Sequence, residues 1–169
     1  MTPADSRDPH DLDRFVAAQD AAGTFDRALA ELRAGHKTGH WIWFVFPQLE
    51  GLGQSHMSRT YAIRSLAEAR AYLRHPVLGP RLAQCAEALV QLEAHNAERV
   101  FGPIDAVKLR SCMTLFGHAA EAGSIFRQVL DLFFDGRPDP LTERALAAGP
   151  GGRGGAGEGE PDLRASDQP

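Results

Sequence analysis

The 169 residues, 43% hydrophobic and 24% charged, suit one globular domain able to bury its own core. The formal charge of −4 falls mostly on the ends, where residues 149–169 hold two Arg against four acids and residues 1–10 one Arg against two. A near-neutral middle argues against the basic face that nucleic acid or an anionic membrane surface requires.

In chain order, residues 1–10 are polar, carry Pro3 and Pro9, and read as a disordered N-terminus. They hold no basic region followed by an apolar run, and no apolar stretch anywhere approaches about 18 residues, so neither export nor membrane insertion is expected and the protein is read as cytoplasmic. A folded helical domain is expected over residues 11–147. Its first apolar repeat is Phe25, Leu29 and Leu32, behind Thr24 as an N-cap.

Next comes GHWIWFVFPQLEGLGQS, Gly39 to Ser55. Trp41, Phe44 and Val45 fit a helical stripe, but the apolar residues run all round, which suits either a central buried helix or a buried strand. With no strand partner in view, helix is the reading taken. Ser65 and Glu68 make a capping box before Ala69, Tyr72 and Leu73. Leu78, Leu82, Cys85, Leu89 and Leu92 alternate steps of four and three, which predicts a helix of about four turns.

Asp105 is placed to cap a helix bearing Leu109, Cys112, Met113 and Phe116 and ending near Gly117. Ser124 is placed to cap another with Phe126, Val129, Leu130, Phe133 and Phe134, stopped by Gly136. Asp139-Pro140 opens a last helix to about Leu146. Residues 148–169 are a Gly-rich run read as a disordered tail. The fold class expected is all-α, a compact bundle of about seven helices. Cys85 and Cys112 sit inside helical patterns without a Cys-x-x-Cys partner, which favours reduced, packed thiols over a disulfide.

Three segments, HWIWFVFPQLEGLGQS, YAIRSLAEARAYLRHPVLGPRL and FGPIDAVKLRSCMTLFGHA, occur in that order. Together they resemble the bacterial and fungal family named domain of unknown function 1810, sometimes labelled calpastatin-like, from about Leu12 to Leu146. The resemblance implies a compact, mainly helical domain and no particular function. The calpastatin label finds no support here, because the repeated inhibitory segments it requires are missing from the sequence. A more remote similarity is to NADAR proteins, helical domains linked to ADP-ribose-containing molecules; no functional residue of theirs matches this sequence position by position, and none is carried over.

The chemistry is sought in the same segments. Gly51-Leu52-Gly53-Gln54-Ser55 precedes a short helix carrying Arg59. Glycines ahead of a helix let backbone N–H groups approach an anion, so Gly51, Gly53, Ser55 and Arg59 are candidates for a phosphate cradle. A plain turn with Ser55 as cap is the simpler reading of these residues, and the pattern is neither a Walker loop nor a dinucleotide fingerprint, so no cofactor is implied. His40, Trp41 and Trp43 offer rings to stack on a base, with Gln48 hydrogen-bonding its edge; dense aromatics also suit a core. His36 and His40 share i, i+4 spacing, but Gly39 lies between them and no third ligand is near, so no metal is assigned.

On the Asp105 helix, Lys108 is placed to meet a phosphate and Ser111 or Thr114 a hydroxyl; the simpler alternative is an Asp105–Lys108 pair at the helix start. No nucleophile–base motif is present. The general acid–base candidates are His40, Glu50, His56 and Asp105, and only the NADAR analogy suggests a reaction, hydrolysis of an ADP-ribose-type N-glycosidic bond. Two expectations follow: binding or processing of a phosphate-bearing nucleotide derivative such as ADP-ribose or NAD, or, alternatively, a non-catalytic protein-interaction domain.

Overall fold

The computed structural model describes residues 8–149, so the disorder expected of residues 1–7 and 150–169 lies outside the described residues. The helices in order are α1 (Asp13–Asp20), α2 (Thr24–Ala34), α3 (Ile42–Val45), α4 (His56–Thr60), α5 (Leu66–Arg74), α6 (Leu78–Val90), α7 (Ala97–Phe101), α8 (Pro103–Ala119), α9 (Ile125–Phe134) and α10 (Pro140–Ala148). Helices α3, α4 and α7 are single turns, and the longer ones make the all-α bundle that the periodicities predict.

At the centre stands α8. Leu109 and every residue from Ser111 to Phe116 are buried, so the middle of the helix is enclosed on all sides, and the helix packs against α5, α7, α9 and α10. The predicted leucine stripe of α6 buries Leu78, Leu82, Cys85 and Leu89 and meets α2, α5 and α9. A row of rings crosses the core, Phe15 to Tyr72 at 5.2 Å, Tyr72 to Phe116 at 5.2 Å and Phe116 to Phe126 at 5.9 Å, linking α1, α5, α8 and α9.

Several helix starts differ from the sequence reading. Thr24 is the first residue of α2 rather than its cap, because a 3-10 turn over Ala21–Gly23 runs straight in from α1 and the Thr24 hydroxyl donates back to the Ala21 carbonyl at 2.6 Å. Helix α8 opens at Pro103, ahead of Asp105. Proline fits the first turn because its missing N–H had no partner to lose there, and Asp105 lies inside that turn instead of capping it. The same helix runs past Gly117 to Ala119. Ser124 occupies the cap position of α9, but its hydroxyl is buried and bonds to nothing among the described residues. Ser65 and Asp139 cap as expected, accepting from the Glu68 and Thr142 amides at 3.1 and 2.9 Å.

The aromatic run splits in two. Only Ile42–Val45 is helical; beyond it the chain extends, and Leu49 pairs with Ile63 in a short parallel bridge, with Ile63 N–H donating to Gln48 O at 2.8 Å and Glu50 N–H to Ile63 O at 2.7 Å. The cause is Pro47, which disfavours helix at the residue before it and lacks a donor itself, so the turn ends and Phe46 extends. The pairing partner unseen in the sequence is thus Ile63. Trp41, Ile42, Phe44, Val45, Phe46 and Leu49 are all buried.

The loop between α2 and this run is held by one carboxylate. Glu31 accepts hydrogen bonds from the Thr38 N–H at 2.8 Å, the Gly39 N–H at 2.6 Å, the Thr38 hydroxyl, and the Trp41 indole N–H at 2.5 Å. Burial alone would raise its pKa; the four donors outweigh burial and hold it down to about 2.

Two outcomes are expected from this packing. Leu82→Ala and Leu89→Ala, at positions 1% and 0% exposed, should each cost about 2–5 kcal/mol in chemical unfolding as cavity-forming changes. Glu31→Ala leaves the Trp41 indole and two loop amides without an acceptor, and should cost about 1–3 kcal/mol at pH 7. Because folding lowers the Glu31 pKa from 4.5 to about 2, its stabilisation is complete above 4.5 and is lost as pH falls toward 2. The gap between parent and variant should therefore narrow across that window; a constant gap would show that side-chain packing, not charge, holds the loop.

Candidate functional site

The first two turns of α8 are where the buried helix reaches solvent, and they carry Asp105 and Lys108. Lys37, in the loop after α2, is anchored by its own N–H donating to Val100 O at 2.8 Å. Its ammonium, on a side chain only 7% exposed, donates to Gly39 O at 2.5 Å and lies 2.8 Å from Asp105 Oδ2 and 5.0 Å from the Trp41 ring centroid. The other Asp105 oxygen is 3.6 Å from Lys108 Nζ, which lies 5.2 Å from the Trp43 ring centroid. Trp41, Lys37, Asp105, Lys108 and Trp43 therefore form one continuous row of two indoles, two cations and a carboxylate.

The two lysines are not equivalent. Lys37 has two acceptors at hydrogen-bond distance, whereas 3.6 Å lies beyond it, so the Lys108 ammonium is paired by charge alone and keeps its donors for another acceptor. Beside it, Trp43 is half-buried and its buried Nε1 finds no acceptor among the described residues.

Other predicted residues have local duties. Ser111 is buried and its hydroxyl donates to Val107 O at 3.1 Å; Thr114 donates to Arg110 O and accepts from the Asp139 N–H, both at 2.8 Å, pinning the start of α10. Ser55 caps α4, accepting from the Ser58 N–H at 3.1 Å. Gly51 adopts φ +94°, and a Cβ on Gly53 would sit 2.4 Å from the Ser58 side chain, so both glycines are required by the turn itself. Gln48 is half-buried beside Gly53.

His40, His56 and Arg59 are exposed; His56 Nε2 is 3.5 Å from the Thr60 hydroxyl, and Arg59 makes no ion pair among the described residues. Glu50 is exposed, its backbone held in the Leu49–Ile63 bridge. Among the described residues, no hydrogen bond, ion pair or ring contact joins Gln48, Gly51, Gly53, Ser55, His56 or Arg59 to the Trp43–Lys108 row.

His36 and His40 lie in the loop between α2 and α3, so their spacing is not the helical one, and no group of three His, Cys, Asp or Glu among the described residues is placed to hold a metal ion. Both cysteines are free and buried. Burial pushes the Cys85 thiol up to about 12 and Cys112 well above the usual thiol range, so neither is a nucleophile. Lys37 and Glu31 escaped sequence reading: the charge partners of Lys37 stand far along the chain, and no local pattern announces them.

No helix among the described residues is long and apolar enough to cross a membrane. No curated protein matches the chain. Among solved structures, the crystal structure of a conserved hypothetical protein, Rv1873, from Mycobacterium tuberculosis is similar, with 48% identity over 83% of this chain and 99% of that one and a TM-score of 0.79. The family described as protein of unknown function, DUF1810, matches residues 9–146, nearly the whole described bundle, and the chain belongs to that family.

Proposed function

We propose that the protein binds a small phosphate-bearing nucleotide derivative, of the ADP-ribose or NAD type, at the Trp43–Lys108 end of α8. One observation carries this reading: an ammonium with donors to spare stands over a half-buried indole face, 5.2 Å from its centroid. The ammonium meets a phosphate as a point charge, and a purine or nicotinamide ring would stack on the indole face that the ammonium does not cover. Lys37 supports the arrangement by holding Asp105 at 2.8 Å, which keeps that carboxylate from closing on Lys108. The Gln48–Arg59 loop, with Gly51, Gly53 and Ser55, enters on its sequence pattern alone.

The role proposed is binding. Asp105 is engaged by two lysines, and among the described residues no hydrogen bond joins any two of His40, His56 and Asp105 into an acid–base pair. The two buried, protonated thiols fit the reducing cytoplasm, where we place this activity. A second reading, a protein-interaction domain, is favoured by Ile104 and Val107, which stand 74% and 58% exposed on α8.

Thermal unfolding with ADP-ribose, NAD, AMP and adenosine separates these. A ligand at about 100 times its Kd should add about 2.7 kcal/mol of stability, and adenosine, lacking phosphate, should add less. Lys108→Ala should leave the melting temperature of the free protein nearly unchanged and weaken binding about tenfold or more. If no phosphate-bearing ligand stabilises the protein, or if Lys108→Ala binds as tightly as the parent, the nucleotide assignment is overturned.

A further inference from the structure

The side of α8 carrying Val107 and Arg110 borders a different feature. Between α7, α8 and α9 lies a cavity of about 430 Å³, within the range of small-molecule sites. Ala97, Ala106, Val107, Phe133 and Phe134 make its walls apolar. His95 adds a further ring, edge-to-face with Phe133 at 5.1 Å and with Nε2 3.1 Å from Val90 O. A ring nitrogen facing a carbonyl donates, so that bond fixes the orientation of the imidazole.

Arg110 supplies the polar feature. Its Nε donates to Arg137 O at 2.9 Å, and its guanidinium carbon lies 5.9 Å from the Phe134 centroid, so the group is half-buried and held from two sides. The terminal nitrogens have no partner among the described residues, and no carboxylate pairs with them. Two acids line the same cavity without neutralising Arg110. Asp139 turns Oδ2 to the Thr142 N–H at 2.9 Å and hydroxyl at 2.6 Å, and Glu98 is exposed and unpaired among the described residues.

We infer that this cavity is a second ligand site, which takes a small aromatic or branched aliphatic monocarboxylic acid with its carboxylate on the Arg110 terminal nitrogens and its apolar body against Val107, Phe133 and Phe134. The guanidinium fork matches a carboxylate in a bidentate pair, and anchoring through Nε orders it in advance. Geometry selects the class: with two acids beside the single cation, net charge does not attract an anion and disfavours a phosphate dianion most, so a monoanion is held by the bidentate pair itself. This site shares no residue with the Trp43–Lys108 row and stands whether or not that row binds nucleotides.

Calorimetric titration and ligand-observed NMR of the full chain with phenylacetate, 4-methylpentanoate, phenylacetamide and phenyl phosphate provide the test. The two acids should bind with Kd of about 1 mM or tighter, and the amide and phosphate at least about tenfold more weakly. Arg110→Gln should weaken phenylacetate about tenfold or more, and Val107→Trp, at a position exposed enough to leave folding intact, should block the cavity and abolish binding. Lys108→Ala should leave phenylacetate affinity unchanged. Equal binding of acid and amide, unaltered affinity in Val107→Trp or Arg110→Gln, or no saturation by either acid up to about 10 mM would overturn the assignment.

Discussion

Enclosure of the middle of α8 on every side is the constraint on which the remaining structure depends. A helix whose residues from Ser111 to Phe116 are all buried has no solvent face to spare, so other elements must surround it, and α5, α7, α9 and α10 do so. Each large apolar side chain buried there contributes about 1.5–3 kcal/mol. Two hydroxyls are tolerated in this setting because Ser111 and Thr114 donate to carbonyls of their own helix, and Thr114 also accepts from the Asp139 amide and so fastens α10 to α8.

Function-bearing groups gather where the same helix escapes enclosure. In its first turns, Asp105 and Lys108 meet the Trp43 side, while Val107 and Arg110 border the cavity of α7 and α9. Side chains on a helix packed this firmly are held in place before any ligand arrives, which lowers the ordering cost of binding. The facing loop is stiffened independently by Glu31, whose four donors tie Thr38, Gly39 and Trp41 together, and that loop delivers Lys37 to Asp105.

A polar knot around Arg14 and Glu68 secures α1. Arg14 donates to His10 O, Asp11 O, Thr60 O and Ala62 O and pairs with Glu68 at 3.0 Å, and Glu68, 1% exposed, also accepts from the Arg64 N–H at 2.6 Å. A buried ion pair is tolerated when its remaining donors and acceptors are filled, as here. Glu68 thus does more than complete a capping box. Together with Gln19, which donates to Phe44 O at 2.8 Å and Tyr72 Oη at 3.2 Å, the knot joins α1 to α5 and to the aromatic run.

The aromatic run shows how far local pattern reaches. Its burial was legible from continuous apolarity, and Pro47 held the information that helix must stop, yet the partner Ile63 appears only when the chain folds back. Likewise Asp105 and Lys108 were legible as neighbours on one helix, but the Lys37 that clamps Asp105 was not. By itself the sequence determined the helical class, the leucine stripe of α6, the Ser65 and Asp139 caps and the buried thiols, because each depends on spacing or on a side chain within a few residues of its backbone partner. Tertiary structure alone decided that Lys108 lies over Trp43, that Lys37 reaches Asp105, and that Arg110 lines a cavity with its terminal nitrogens unpaired among the described residues. Those placements join residues distant in the chain, and they are set by how the surrounding helices close around α8, which no local periodicity encodes.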